Sequence, residues 1–405
     1  MSAPLSELLP KAQHLLTQLI TPDGFLASTQ ESDNYRRIWT RDSVVCGLAG
    51  LLLKDKTLVN GLKASLKTLG DHQHSSGMIP SNVAPETSEV SYGSLVGRID
   101  TASWWILGAC LYYQHTNDTI FWKYAQPIVE KAQSFLKAAE FNGKGWIYTP
   151  LSGNWADEYP VHGYTLYDNV LRLWAESLWL KLSNSDAPQN EILQKTLHNF
   201  WPMPASNRNL AYQKTSFEKL QTGSLSHFLS FILPGVYDTR FDAAGNALAL
   251  LLFDLSEAQQ SRLEAYIETL KMELGGALIP AFWPIITETS EDYFLLKGNF
   301  DYVATLTEEY PFSLPEMKMF PIGIRVQVYT IEAAQKYSDY TISDDSIGQD
   351  SSAFLYSNLD KFKIGYLEAT AKWKKLNRPE LNFAVNYSKN FELINRIFKK
   401  NYCVK

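Results

Sequence analysis

TASWWILGACLYYQHTNDTIFWKYAQPIVEKAQSFLKAAE, residues 101–140, decides the fold. Apolar side chains recur at spacings of three and four on both sides of a break at Thr116-Asn117. That pattern predicts two helices, 101–115 and 118–140, joined by a tight turn. The connections flanking this pair are of another kind. Residues 74–100 and 141–162 are long and rich in Gly, Pro, Ser and Asn. Loops of that length inside a compact protein usually carry function.

Outward from this hairpin the alternation repeats. Helical periodicity predicts further helices at 3–19, 43–54, 56–73, 163–182, 189–200, 242–254 and 256–273. It continues at 292–304 and 321–338, then in a C-terminal pair near 355–375 and 383–401. Another long loop spans 20–42. Strand-like pieces such as Trp146-Ile147-Tyr148 read as short decorations in the loops. The expected fold is all-α: a toroid of helical hairpins whose long connections gather on one face and build a cleft there. No Pro- or Ser-rich linker divides the chain, so residues 1–405 are expected to form a single domain.

Composition excludes several classes of function. The net charge is -6 and no basic patch stands out, which argues against a nucleic-acid partner. Lys399-Lys400 reads as a solvated helix end. No apolar run reaches roughly 18 residues, so no membrane span or membrane partner is expected. MSAPLSELLPKAQHLL lacks a basic stretch followed by an apolar one. Cys46, Cys110 and Cys403 are few, odd in number and not in CxxC spacing, which fits a reducing compartment and no zinc site. Cys46 and Cys110 lie in apolar helical runs and read as buried spectators. The expected location is the cytoplasm. There is no HExxH, no phosphate-binding glycine-lysine loop and no GxSxG, so neither a metal nor a cofactor is expected.

Aromatic residues make up 13% of the chain, and many sit at loop–helix junctions, where a ring can stack on the C–H face of a sugar. A large aromatic core explains most of them. Four loop segments nevertheless place an acid, an Arg or a Trp at the mouth of a helix. In RRIWTRDS, residues 36–43, Asp42 or Ser43 is expected to cap the next helix, with Trp39 and Arg41 beside it. An Arg-Asp pair next to a Trp also suits a grip on adjacent hydroxyls plus ring stacking; capping and binding explain this segment equally well. GMIPSNV, residues 77–83, leads to GRIDTASWWI, residues 97–106, where Arg98 and Asp100 repeat the arrangement. Asp100 or Thr101 is expected to cap there, with one of Trp104 and Trp105 in the core and the other facing the cleft.

GNWADEYPVHGY, residues 153–164, puts Asp157 and Glu158 between Trp155 and Tyr159-Pro160. Acids among aromatics are costly unless paired, hydrated or used. Desolvation would raise the pKa of Asp157, as a general acid requires. The plainer alternative is that Asp157 supports the approach to a helix that opens near Gly163-Tyr164. His162 is the histidine expected near the cleft; His72 and His74 read as a helix end. In DTRFDAAGNALALL, residues 238–251, Asp242 is expected to cap a helix and Gly245 to allow close packing, with Arg240 and Asp242 as rim residues.

Taken in order, Trp-x-Arg-Asp, Gly-Met-Ile-Pro, Gly-Arg-Ile-Asp-Thr-Ala-Ser-Trp-Trp-Ile, Trp-Ala-Asp and Arg-Phe-Asp-Ala-Ala-Gly-Asn-Ala-Leu-Ala resemble the (α/α)6-barrel glycoside hydrolases. The neutral/alkaline invertases and an allied bacterial group are the nearest in this resemblance. Trehalases, glucoamylases and glycogen-debranching glucosidases are more distant. The likeness spans residues 36 to about 285. It implies an inverting glycosidase in which one carboxylic acid protonates the leaving oxygen and a second carboxylate activates water. It points to Asp157 as the acid, with Glu158 as substitute because the register to Gly163-Tyr164 is off by one. Trp39, Arg41, Asp42, Arg98 and Asp100 match positions lining the sugar pocket, and Trp104, Trp155, His162 and Tyr164 are expected around it.

The chain departs from the family after residue 285. In place of the usual His-Asn-Gly-Gly-x-Trp-Pro it has YPFSLPEMKMFPIG, residues 310–323. Pro315-Glu316 makes Glu316 the first choice for the base, with Glu309 and Glu308 behind it. The resemblance thus implies hydrolysis of a small glucoside, sucrose or an α-linked gluco-oligosaccharide. Two other classes stay open: a sugar-binding member without its base, and a sugar epimerase or isomerase on the same scaffold, which paired histidines in the cleft would favour.

Overall fold

The computed structural model describes residues 5–28, 35–93, 96–157, 159–183, 190–203, 207–221, 225–273, 281–284, 291, 292 and 295. Ten α-helices occur among them: α1 Leu5–Gln18, α2 Thr40–Leu53, α3 Lys56–Asp71, α4 Asp100–Thr116, α5 Thr119–Ala138, α6 Leu166–Leu182, α7 Asn190–Phe200, α8 Lys214–Gln221, α9 Ala243–Leu252 and α10 Glu257–Glu273. The expected helices within this range are present, each shifted by a few residues at most. The helices expected at 292–304, 321–338, 355–375 and 383–401 lie outside the described residues.

Burial sorts the helices into two kinds. In α4 every residue from Asp100 to Tyr112 is buried, and α9 is buried from Ala244 to Leu250. A helix that is apolar all round has neighbours on every side. α3 and α5 instead bury one stripe, Leu58, Leu62, Leu66 and Leu69 in α3 and Phe121, Ala125, Val129, Ala132 and Leu136 in α5. The buried helices pack in succession, α2 on α4, α4 on α6 and α6 on α9, while α3 covers α2 and α5 covers α4.

The turns within a hairpin are short and use one device. Lys54 and Asn117 take left-handed φ values of 54° and 55°, ending α2 and α4. Asp55 and Asp118 follow and cap α3 and α5, accepting from Thr57 N at 2.8 Å and Phe121 N at 3.0 Å.

Short strands form in the long connections: β1 Ile20–Thr21, β2 Gly24–Phe25, β3 Ile38–Trp39, β4 Asn82–Val83, β5 Val90–Ser91, β6 Tyr164–Thr165, β7 Leu229–Ile232, β8 Tyr237–Asp242 and β9 Phe282–Trp283. They build antiparallel sheets ordered β1-β2, β3-β4-β5 and β6-β7-β8-β9. Three strands run straight into buried helices, β3 into α2, β6 into α6 and β8 into α9. The sheets therefore fix where those helices start. Trp146-Ile147-Tyr148 is not a strand; Ile147 N donates instead to Asn169 Oδ1 at 2.8 Å. Cys46 and Cys110 are buried free thiols, as expected. No described helix is long and apolar enough to cross a membrane.

Candidate active site

Helices α2 and α4 meet at their first turns because one loop ties both. Thr40 Oγ1 donates to Pro80 O at 2.6 Å, and Thr101 Oγ1 donates to Ile79 O at 2.9 Å. The Gly-Met-Ile-Pro stretch thus offers consecutive carbonyls to the two helix mouths. This brings Arg41 to Asp100, with Nη1 3.0 Å from Oδ2. Asp100 is fully buried while Arg41 retains some contact with solvent.

Neither acid expected to cap α2 or α4 does so. The N-cap of α2 is Trp39 and that of α4 is Ile99, and neither makes a side-chain cap bond. Asp42 and Asp100 lie inside the first helical turns instead. Ser43 donates to Phe25 O at 3.5 Å, and Thr101 is committed to Ile79. Because α4 already starts at Asp100, the carboxylate points to Arg41 rather than back to its own backbone. Burial pushes the Asp42 carboxyl up, against the pull of Arg41. Asp242, the third acid expected to cap, does so, accepting from Gly245 N at 2.9 Å. A Cβ on Gly245 would lie 2.4 Å from Asp242 Oδ2 and 3.0 Å from Leu166 Cδ2, which explains the glycine in this α6–α9 contact.

The segment from Thr149 to Asp157 closes over these turns. Arg98 donates to Ser152 O and to the Asp157 carboxylate, and Ile99 N donates to Gly153 O at 2.7 Å. The side chain of Asp157 is 36% exposed. It is therefore an ion-paired acid at the solvent boundary, not one enclosed by rings. Trp155 stands next to it, half-buried, stacked on Phe282 at 6.1 Å and 11° and 6.0 Å from the Tyr167 ring. Trp39 is half-buried and stacks on Tyr35 at 6.3 Å. The carboxylates of Asp100, Asp42 and Asp157 all act on Arg41, so residues far apart in the chain share one electrostatic environment.

Trp104 and Trp105 are both buried. Trp105 donates to Leu66 O at 2.9 Å in the core, whereas Trp104 donates to Tyr167 Oη at 2.7 Å. Tyr167 in turn lies 3.4 Å from Asp100 Oδ2. Trp104 thus supports the site from beneath rather than facing a cleft. Tyr164 is buried against Trp146, Tyr148 and Tyr212 and accepts from Asn142. His162 is half-buried with its ring 5.8 Å from Phe231, and burial lowers its pKa, with Asp292 opposing that shift and Arg240 adding to it. Arg240 is gripped by Asp238 at 2.7 Å and Asp292 at 2.5 Å. The contacts of His162, Tyr164 and Arg240 are therefore made away from the Arg41–Asp100 pair. Glu158, Glu308, Glu309 and Glu316 lie outside the described residues.

Three residues not singled out in the sequence belong to this site. Tyr167 reads as part of an apolar stripe, and Asp168 and Thr165 read as the start of a helix. Thr165-x-x-Asp168 is a capping signal, and that signal concealed their other contacts. Chemically, the site offers guanidinium donors, carboxylate acceptors and half-buried indoles side by side, a set suited to an uncharged ligand rich in hydroxyls. Among the described residues, no group of three or more His, Cys, Asp or Glu is placed to hold a metal ion.

No family model matches the sequence, and no curated protein matches it. Solved structures similar to the chain include a rhamnosidase from Klebsiella oxytoca with rhamnose bound, at 10% identity and a TM-score of 0.46, covering 95% of this chain. A glucoamylase from Saccharomycopsis fibuligera matches at 12% identity and a TM-score of 0.47, covering 98% of this chain and 96% of its own. A novel alpha-amylase from Clostridium perfringens matches at 12% identity and a TM-score of 0.41, covering 92% of this chain and 99% of its own. The chain spans 65% of the length of the rhamnosidase.

Proposed function

We propose that this chain is an inverting glycoside hydrolase acting on a small glucoside, sucrose or an α-linked gluco-oligosaccharide. Residues 1–405 form one (α/α)6 toroid in this reading. The observation that carries it is the convergence of Arg41, Asp42, Asp100 and Asp157 on the first turns of α2 and α4, beside Trp39 and Trp155. Carboxylates and guanidinium groups grip adjacent hydroxyls while indoles stack on the ring face. The sequence motifs that carry the family resemblance supply these same residues.

Asp157 is the general acid: it gives its proton to the glycosidic oxygen as the C–O bond breaks. A carboxylate from 308–316, Glu316 first and Glu309 or Glu308 behind it, takes a proton from the attacking water, whose oxygen bonds the anomeric carbon from the opposite face. Glu158 substitutes for Asp157 if the one-residue register difference is real. The acid and base then stand about 6.5–9.5 Å apart, leaving room for the water. No cofactor takes part.

One observation favours a second reading. Arg98 already holds Asp157 as an ion pair, which suits a carboxylate that binds sugar hydroxyls without transferring a proton. Reducing-sugar release from a panel of glycosides separates the two. For the enzyme, Asp157→Asn and Glu316→Gln each lower kcat by about 10²–10⁴-fold, the usual worth of a general acid or base. Equal rates in wild type and Asp157→Asn remove Asp157 from the mechanism. Sugar binding by calorimetry without turnover in the wild type leaves the binding reading.

A further inference from the structure

Asp168 lies in the first turn of α6 and is completely buried. None of the roles above uses it. Its Oδ2 atom accepts from Thr149 Oγ1 at 2.7 Å, Asn154 Nδ2 at 2.7 Å and Thr165 Oγ1 at 2.6 Å. Thr165 reciprocates by accepting from Asp168 N at 3.2 Å. A helix cap needs only the Thr165 part of this arrangement. Thr149 and Asn154 belong to the segment that ends at Asp157, and Asn154 Oδ1 accepts from Ala156 N at 2.9 Å. The segment is therefore tied from both sides, by Arg98 and Ile99 ahead of α4 and by Asp168 of α6.

We propose that Asp168 is a positioning residue: it collects Thr149, Asn154 and Thr165 on one oxygen and so fixes the Asp157-bearing segment over the first turns of α4 and α6. Its consequence for catalysis rests on the reading of Asp157 given above; its hold on the segment does not.

The surroundings shift the Asp168 carboxyl toward its protonated form. Oδ1 of Asp168 and Oδ1 of Asp100 are both buried without a hydrogen-bond partner among the described residues. Asp100 faces Asp168 from α4, Asp242 from the start of α9, and Tyr167 from α6 itself. Arg41 of α2 acts on Asp100 and Tyr167 in the same group. Burial, and then the charge of Asp100, push the Asp168 carboxyl up to about 7. A proton on Oδ1 leaves Oδ2 free to keep all three bonds. Ionising Asp168 would instead add a buried charge beside Asp100, a cost that the three donors on Oδ2 reduce but do not cancel.

Hydrogen exchange of the Ala156 and Asp157 amides, corrected for intrinsic chemistry, tests this between pH 5.5 and 8.5. In wild type, opening the segment hydrates Asp168 and returns its pKa toward the ordinary carboxyl value. Protection should therefore fall as pH rises to about 7, by up to about tenfold per pH unit, the limit for loss of a single proton, and level off above it. Asp168→Asn, which mimics the neutral acid, should keep protection at every pH. Asp168→Ala should lose it at every pH, while α3 and α5 stay protected. Wild-type protection in Asp168→Ala, equal loss in both variants, or a flat wild-type profile would overturn the proposal. Should Asp168→Ala fail to fold, Asn154→Ala cuts the same link; it should expose the segment, and full protection there would also overturn the idea. If the wild type shows the expected exchange but cleaves no glycoside, the enzymatic reading fails and this one stands.

Discussion

Asp100 has no access to solvent, and its partner Arg41 keeps only 20% of its side chain exposed. Removing one member of such a pair leaves the other charged in a low-dielectric site. Arg41→Met should therefore lower the unfolding free energy by about 3 kcal/mol, the low end for a broken buried pair because Arg41 reaches water. Asp100→Asn in the same background should recover most of that loss, since it removes the stranded charge. Urea unfolding of the two singles and the double measures both; an Arg41→Met protein as stable as wild type would show that Asp100 finds other compensation. At this scale, spacing identified Arg41, Asp42, Arg98, Asp100 and Asp157 as residues worth locating. It did not show that Asp42 and Asp100 fail to cap, because helix starts three residues and one residue earlier place them inside the first turns. Nor did it reveal Asp168, whose partner Thr149 lies 19 positions away. Contacts at that range leave no local period.

Nine of the ten described helices were readable because buried and half-buried helices both keep the 3.6-residue rhythm, whereas the two-turn α8, Lys214–Gln221, was not. The sheet β6-β7-β8-β9 was not. Leu229–Ile232 is buried at every position, so it lacks the alternation that marks a half-exposed strand. Pro234-Gly235 marks its turn, but a run of four apolar residues cannot by itself be told from the start of a helix. Element contacts also impose residue choices that propensity opposes. Gly47 in α2 faces α3, and a Cβ there would lie 2.5–2.7 Å from Leu62 side-chain atoms. Gly→Ala within an exposed helix is worth about 1 kcal/mol in favour of folding. Here overpacking should win: Gly47→Ala forces α2 from α3 and destabilises by about 1–3 kcal/mol. Thermal unfolding decides the sign, and a stabilised variant would mean that Leu62 yields its place freely.

Across the whole molecule, the successive packing of α2, α4, α6 and α9 collects carboxyls at one end, and the cost is visible as pH dependence. Burial sets the Asp242 carboxyl at about 7, well above its ordinary 3.8, even though Gly245 N and Ala244 N hydrogen-bond to it. A folded-state pKa above the unfolded one means that the folded chain holds the extra proton between those two values. Its contribution is neutral below the unfolded value, and stability falls as pH rises toward the folded one. The slope is at most about 1.4 kcal/mol per pH unit for one group. His162, His198 and His227 act the other way, because burial lowers all three and so makes stability rise with pH toward 6.5. The raw stability profile of the wild type therefore mixes opposing signs. Comparison with Asp242→Asn removes the histidines from the difference, and Asn keeps the cap on α9, being as good an N-cap as Asp. The variant should match wild type near pH 4 and exceed it increasingly up to about pH 7, where the difference levels off. Calorimetric melting of both proteins across pH 4–8 measures this; parallel curves would mean that Asp242 is charged in the folded protein, with a counter-charge supplied from elsewhere in the chain.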